Sequence, residues 1–382
     1  MLHRIICTLL CLLFCNNIVF LYAQKVSYEN GIKVIENGED GLWGKNPQLK
    51  LEYLGKFGNH NDKDQTTWFT RPSDIAFDQQ GNVYVLDADD RIIKKFDRNR
   101  KFLYSFGGKG RGPGELIQPD KISVSPNGNI YVSDKVQNRV NIYSNDGKSI
   151  GTIKVKYIHF PFIMINDEQM IVSNPILTGA GAPHKPVLFL MDTKGNKLKS
   201  FGEGPYPKTG NSKKDGNLAA GNQLTFNIDK YMNSYAVFMF ANYIDKIDKE
   251  GKTILRIKNG DKPSSKNWGV AVDSKERIWV LTNQRFVRKE EEAGIKSVMY
   301  SESEGVINVE YEGDRKLVKT DMYAIELFDK EGRFLCKYPL NHFIRNYSMD
   351  PTCFGIKINK NELYVIENMR EMTFHIYKIS DL

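Results

Sequence analysis

The sequence predicts an all-β fold, a six-bladed β-propeller whose ring is closed by an N-terminal strand pairing with the last blade. Three observations predict it. The chain repeats with a period of 47 residues: Pro72 and Pro119, Tyr84 and Tyr131, and Asp87 and Asp134 are each 47 positions apart. Each unit divides into four short β-branched or aromatic runs punctuated by Gly, Asn and Asp, the pattern of four strands, a to d, in a propeller blade. The last unit stops after its c strand, while a strand-like segment precedes the first unit, so one supplies what the other lacks.

The elements follow in chain order. Residues 1–23 read as a secretory signal: a short basic start ending at Arg4, an apolar run from Ile5 to Leu21, and a small residue at Ala23. A retained anchor is the alternative. Lipoprotein processing at Cys15 is disfavoured, because Phe14 stands where a small residue is expected and the apolar run continues beyond. Residues 24–48 are a lead-in. The propeller spans 49–382, opening with the d-type strand Leu49–Phe57.

Blades 1 and 2 start at the inner strands Arg71–Asp78 and Gln118–Ser125 and carry their b strands at Val83–Asp87 and Ile130–Asp134. Blade 3 places strands at Met170–Ser173, Leu188–Asp192 and Lys197–Phe201. Blade 4 places them at Leu224–Ile228, Tyr235–Phe238 and Tyr243–Asp248. Blade 5 uses Gly269–Asp273, Arg277–Val280 and Ala324–Asp329, and blade 6 uses Gly355–Ile358, Leu363–Ile366 and Phe374–Tyr377.

The string Phe106-Gly107-Gly108, Gly112-Pro113-Gly114-Glu115, Ile130 to Asp134 and Asn138-Arg139-Val140 resembles the NHL repeat. The whole chain is similar to the bacterial secreted six-bladed propellers called TolB-like. The resemblance is specific in blades 1 and 2 and a matter of pattern in blades 3 to 6. It implies fold and export rather than an activity.

In such a blade the a–b and c–d turns lie at one end and the b–c and d–a connections at the other. The a–b and c–d turns are short, as in Asp78–Asn82, Ser125–Asn129 and Asp248–Gly251. The long segments are Gly58–Thr70, Gly107–Gln118, Asn174–Pro186, Gly202–Gln223, Gln284–Asp321 and Pro339–Thr352, all b–c or d–a. Insertions gathered at one end mark a binding face. The largest, 284–321 in blade 5, reads as a β-hairpin or lid.

The residues expected on or near that face for a polar, anionic-leaning ligand are Arg71, Arg111, Tyr206, Trp268 and Arg285, with Trp68 beside them. Trp268 has a second reading, packing in the channel. The preferred function is an exported binding module for a protein, peptide or glycan. The alternative is a metal-dependent lactonase- or lyase-like enzyme with its site in the central channel, a reading taken from six-bladed lactonases that hold calcium there. For that site the candidate ligands are Asp74, Asp120, Asn174 and Asn283, with Asn242 and Asn368 as helpers. Only two inner-strand starts offer a carboxylate, and calcium wants six or more oxygens, so the expectation is no cofactor. His60, His159, His184 and His342 fall on the same face without a zinc-ligand spacing. Asp87 and Asp134 repeat at one blade position, which assigns them to backbone N–H groups or to Arg91 and Arg139 rather than to catalysis.

Gly107 to Gly114 lacks the Gly-Lys-Ser/Thr ending of a phosphate loop, and Gly-x-Ser-x-Gly is absent. The formal net charge of +8, or +7 once Arg4 leaves with the signal, is spread among acids with no basic block, which argues against nucleic acid. No apolar run after the signal is long enough to span a bilayer. The localisation expected is secreted or periplasmic, with an outer-membrane lipoprotein less favoured. Cys336, on an outer strand, and Cys353, near an inner one, are expected to lie too far apart for a disulfide.

Overall fold

The computed structural model describes residues 24–58, 64–155, 161–173, 186–204, 224–238, 241, 243–259, 267–283, 295–301, 306–311, 318–319, 323–340, 344–345, 355–367 and 372–382. Six antiparallel blades account for most of them. Blade 1 contains Pro72–Phe77, Val83–Asp87, Ile92–Phe96 and Phe102–Gly107, paired in that order. Blade 2 runs from Pro119–Val124 to Ser149–Lys154 and blade 3 from Phe162–Met164 to Lys197–Phe201. Blade 4 runs from Leu224–Ile228 to Thr253–Asn259, and blade 5 from Asn267–Val272 to Phe334–Pro339. In blade 6, Gly355–Asn359, Glu362–Glu367 and Thr373–Asp381 are joined by Leu49–Phe57 as the outer strand. The closing register runs from Leu49 opposite Asp381 to Phe57 opposite Phe374, so the expected closure is present.

Six apolar clusters fill the six seams between neighbouring blades. Tyr84 and Leu86 meet Ile122 and Val132 between blades 1 and 2, and Trp279 and Leu327 meet Leu363 and Val365 between blades 5 and 6. The seam at the closure is aromatic. Phe57 from the closing strand packs edge-on against Phe96 at 4.9 Å and Phe69 at 5.4 Å. Phe374 adjoins Phe69 at 5.6 Å. Edge-to-face packing of this kind adds to the area the rings bury.

The short turns share one chemistry. Asp78, Asp192, Asp229, Asp273 and Asp329 each accept the N–H four residues on through Oδ1, at 2.8–3.0 Å. In blades 1, 4 and 5 the second carboxylate oxygen also accepts from an aromatic on strand b: Tyr84, Tyr235 or the Trp279 indole. The turn is thereby tied to the blade core.

The lead-in was read from the sequence as a segment without assigned structure. It forms a hairpin, β1 (Gln24–Glu29) and β2 (Ile32–Asn37), and β2 pairs in parallel with the outer strand of blade 4. That sheet therefore has six strands. The chain then crosses the rim of blade 5: Leu42 and Trp43 donate to the carbonyls of Phe334 and Leu335 at 2.9 and 3.0 Å. Asn37 bonds Gly332 O and Phe334 N–H. From there it enters blade 6 as β3 (Leu49–Phe57). The N-terminus is thus a belt over the outer edges of three blades. Asn30-Gly31 at the hairpin turn, both with positive φ, is the two-residue signal that could have revealed it.

Among the described residues no helix is long and apolar enough to cross a membrane. Cys336 is a buried free thiol on the outer strand of blade 5. Cys353 and residues 1–23 lie outside the described residues.

Candidate functional site

The antiparallel strand order of each blade starts and ends its b–c and d–a connections at one end of the ring. The blade 5 insertion contains an antiparallel hairpin, Ile295–Ser301 with Val306–Tyr311. Its tail, Val318–Lys319, pairs with Ile344–Arg345 of the d–a connection that follows. Backbone pairing therefore joins a b–c insertion to a d–a connection, which requires both at the same end.

At that end the repeat Asp and Arg act as staples. Asp87 accepts the N–H groups of Thr70 and Arg71 at 2.8 and 2.9 Å, fixing the connection into blade 1. Asp134 accepts from Ile117 at 2.6 Å and from both nitrogens of Gln137, fixing the connection into blade 2. Arg91 reaches Ile117 O, and Arg139 reaches Gly112 O and Glu115 O. The backbone role expected of the two aspartates is the one they fill. The arginines bind loop carbonyls rather than those aspartates. Burial pushes the Asp87 carboxyl above its usual range, against the pull of the two N–H groups.

The inner strands of all six blades line a small cavity of about 60 Å³ that opens to solvent. Its wall includes Ser73, Asp74, Lys121, Thr225, Lys357 and the closely packed Gly269 and Gly355. Asp74 is 5% exposed. It accepts N–H groups from Ile75 and Ile122 at 3.0 and 3.2 Å and lies 3.9 Å from Lys357. Asp120 pairs with Lys135 at 3.2 Å.

The sequence-predicted residues divide as follows. Arg71 sits on the surface, its Nε 2.6 Å from Asp89. Arg111 is exposed on the connection between blades 1 and 2. Trp68 lies just after a short 3₁₀ turn, Gln65–Thr67, and its carbonyl receives Lys94. Trp268 packs in the seam between blades 5 and 6, and its indole donates to Asn283 at 2.6 Å. That ligand-binding candidate and that metal-ligand candidate therefore bond each other inside the core, and Trp268 faces a neighbouring blade rather than the loop-bearing face or the channel of its second reading. Tyr206, Arg285, Asn174, Asn242, Asn368 and the four loop histidines lie outside the described residues. Ser73, Asp74 and Thr225 are inner-strand starts legible from the repeat, but the sequence did not single out Lys121 or Lys357, because which further side chains reach the channel depends on ring closure.

The described residues do not fit a calcium or zinc site. Among them no three His, Cys, Asp or Glu side chains converge. Asp74 is already engaged by two N–H donors and faces Lys357 at 3.9 Å, a positive neighbour that opposes a second cation.

The comparisons with known proteins agree with this geometry. Over 158 residues the chain is 25% identical to the protein brain tumor of Drosophila melanogaster, covering 40% of this chain and 14% of that protein. It is 21% identical over 136 residues to human NHL repeat-containing protein 3, covering 33% of this chain and 39% of the relative. The chain thus spans well under half the length of either. A solved putative exported protein from Bacteroides fragilis superposes with a TM-score of 0.58 at 13% identity, covering 91% of this chain and 99% of that one. The family model described as "6-bladed beta-propeller", DUF5128, matches residues 65–367. With six blades, six filled seams and a match over most of its length, the chain belongs to the DUF5128 family of six-bladed β-propellers.

Proposed function

We propose that this protein is an exported binding module that recognises a protein, peptide or glycan through the loop-bearing end of the ring. The observation that carries this reading is the asymmetry between the two ends. One end consists of short turns capped mainly by aspartates. The other carries the extended connections, linked to each other by the pairing of Val318–Lys319 with Ile344–Arg345. A rigid ring with elaborated loops at one end suits recognition. Arg71, Arg111, Lys121 and Lys357 at that end, together with the net charge of about +7 left after the signal, favour a partner bearing anionic groups. Export rests on the apolar run of residues 5–21 and on Ala23.

The test compares the two ends. The purified protein is screened against glycan and peptide arrays beside two variants, one with residues 284–321 replaced by a short turn and one with Lys249→Glu and Lys252→Glu on a c–d turn. Binding should fall at least about tenfold in the first and persist in the second. Equal binding by the loop-shortened variant and wild type would remove the proposal.

A further inference from the structure

Among the described residues, the hairpin that widens blade 4 leaves the outer side of β1 without a strand partner. Each of the six blade c–d pairs contains a register shift, in blades 1 to 6 in turn. Bulges of this kind twist an outer strand and blunt it as a template. The β1–β2 pair runs without a shift from Gln24 opposite Asn37 to Glu29 opposite Ile32. Two strands beyond the blade 4 outer strand, β1 stands about 10 Å outside the ring at the usual strand spacing. It also exposes Val26 and Tyr28, at 56% and 73%.

The hydrogen-bonding parity of this edge is fixed. Glu29 and Ile32 flank the two-residue turn Asn30-Gly31 and so form a hydrogen-bonded pair. Lys25, Ser27 and Glu29 accordingly direct their backbone groups toward β2, and Val26 and Tyr28 direct theirs outward. An antiparallel mate must match outward residues with outward residues.

We propose that β1 pairs with β1 of a second copy of this chain, antiparallel about a two-fold axis at Ser27, joining the two six-stranded blade 4 sheets. This register places Val26 opposite the mate's Tyr28 on one face and Lys25 opposite the mate's Glu29 on the other, with only Ser27 facing itself. Aromatic–β-branched and opposite-charge pairs are the favoured cross-strand combinations. Centring the axis on Val26 or Tyr28 keeps the parity but sets each residue against its own copy and loses the Lys–Glu pairs. Each charge already has an intramolecular neighbour, Lys25 with Glu36 at 3.3 Å and Glu29 with Lys258 at 2.7 Å. The interface therefore extends an alternating row of charges. A C₂ contact of this kind is self-complementary and closed, and it leaves the loop-bearing ends free.

Light scattering coupled to size exclusion, over a range of concentrations, tests this on the purified protein. Wild type should show a concentration-dependent dimer. Val26→Pro, which removes only an outward N–H, and Tyr28→Asp should run as monomers with unchanged melting profiles. Lys25→Glu and Glu29→Lys singly should each weaken the dimer about tenfold, and the two combined should restore it. Melting profiles separate loss of the interface from loss of the fold. A wild type that stays monomeric, a dimer indifferent to Val26→Pro, or no recovery in the double variant would overturn the proposal.

Discussion

At the scale of single residues, the repeated polar positions are structural, and their chemistry explains why they repeat. Asp87 and Asp134 recur because each blade must satisfy the N–H groups of the connection entering it, and a carboxylate accepts two at once. Asp78, Asp229 and Asp273 recur because one side chain closes a turn and also receives an aromatic donor from strand b. Cys336 yields a pH prediction. Burial pushes its thiol up to about 11. A pKa raised in the folded state favours the neutral form there. Its contribution to stability is therefore complete below the unfolded thiol pKa and is lost as pH rises through about 11. Denaturant titrations between pH 8 and 11 should show wild type losing stability relative to Cys336→Ala. Peptide-resolved alkylation of the native protein at neutral pH should leave Cys336 unlabelled. Prompt labelling would contradict the buried position on blade 5.

At the scale of elements, the N-terminal belt was the least legible part of the fold. Its hairpin turn, Asn30-Gly31, was readable, but that β2 joins blade 4 in parallel was not. Nothing local in Ile32–Asn37 names a strand more than 200 residues away as its partner. The crossing over blade 5 depends on close backbone approach at Gly41, where an added Cβ would come within 2.2 Å of Leu335 O. Gly41→Ala should therefore lift the belt and destabilise the protein by about 1–3 kcal/mol, measured by chemical denaturation. Faster hydrogen exchange confined to residues 24–43 would locate the damage. The blade strands that were placed begin within two residues of their expected starts, because turn residues at fixed offsets delimit them; Arg277–Val280 and Phe374–Tyr377 run on to Asn283 and Asp381, and the outer strands of blades 4 and 5 were not placed.

At the scale of the whole molecule, stability depends on closure. Seams between blades bury the apolar faces, and the last seam exists only when Leu49–Phe57 completes blade 6. Deleting residues 49–57 should abolish a single cooperative melt and expose the Phe69, Phe96 and Phe374 cluster to a hydrophobic dye. An intact, dye-silent ring would show that closure is dispensable. The same closure defines the candidate site, since six inner strands form a cavity wall only as a ring. Arg71 and Arg111 could be picked out because they lie on connections of visible length. Trp268 misled because an aromatic at an inner-strand start looks the same in sequence whether it faces the channel or a neighbouring blade. Its bond to Asn283 places it among the buried groups.

The sequence by itself determined the repeat, the four-strand unit, the closing strand and the end at which long connections gather. Each of these follows from short-range turn chemistry and from counting strands. Only the tertiary structure decided which side chains line the channel, how the repeat arginines are used, and that residues 24–57 belt three blades with β1 at the edge of the described sheet. Those are properties of residues brought together from distant parts of the chain, and local pattern does not encode the distance between them.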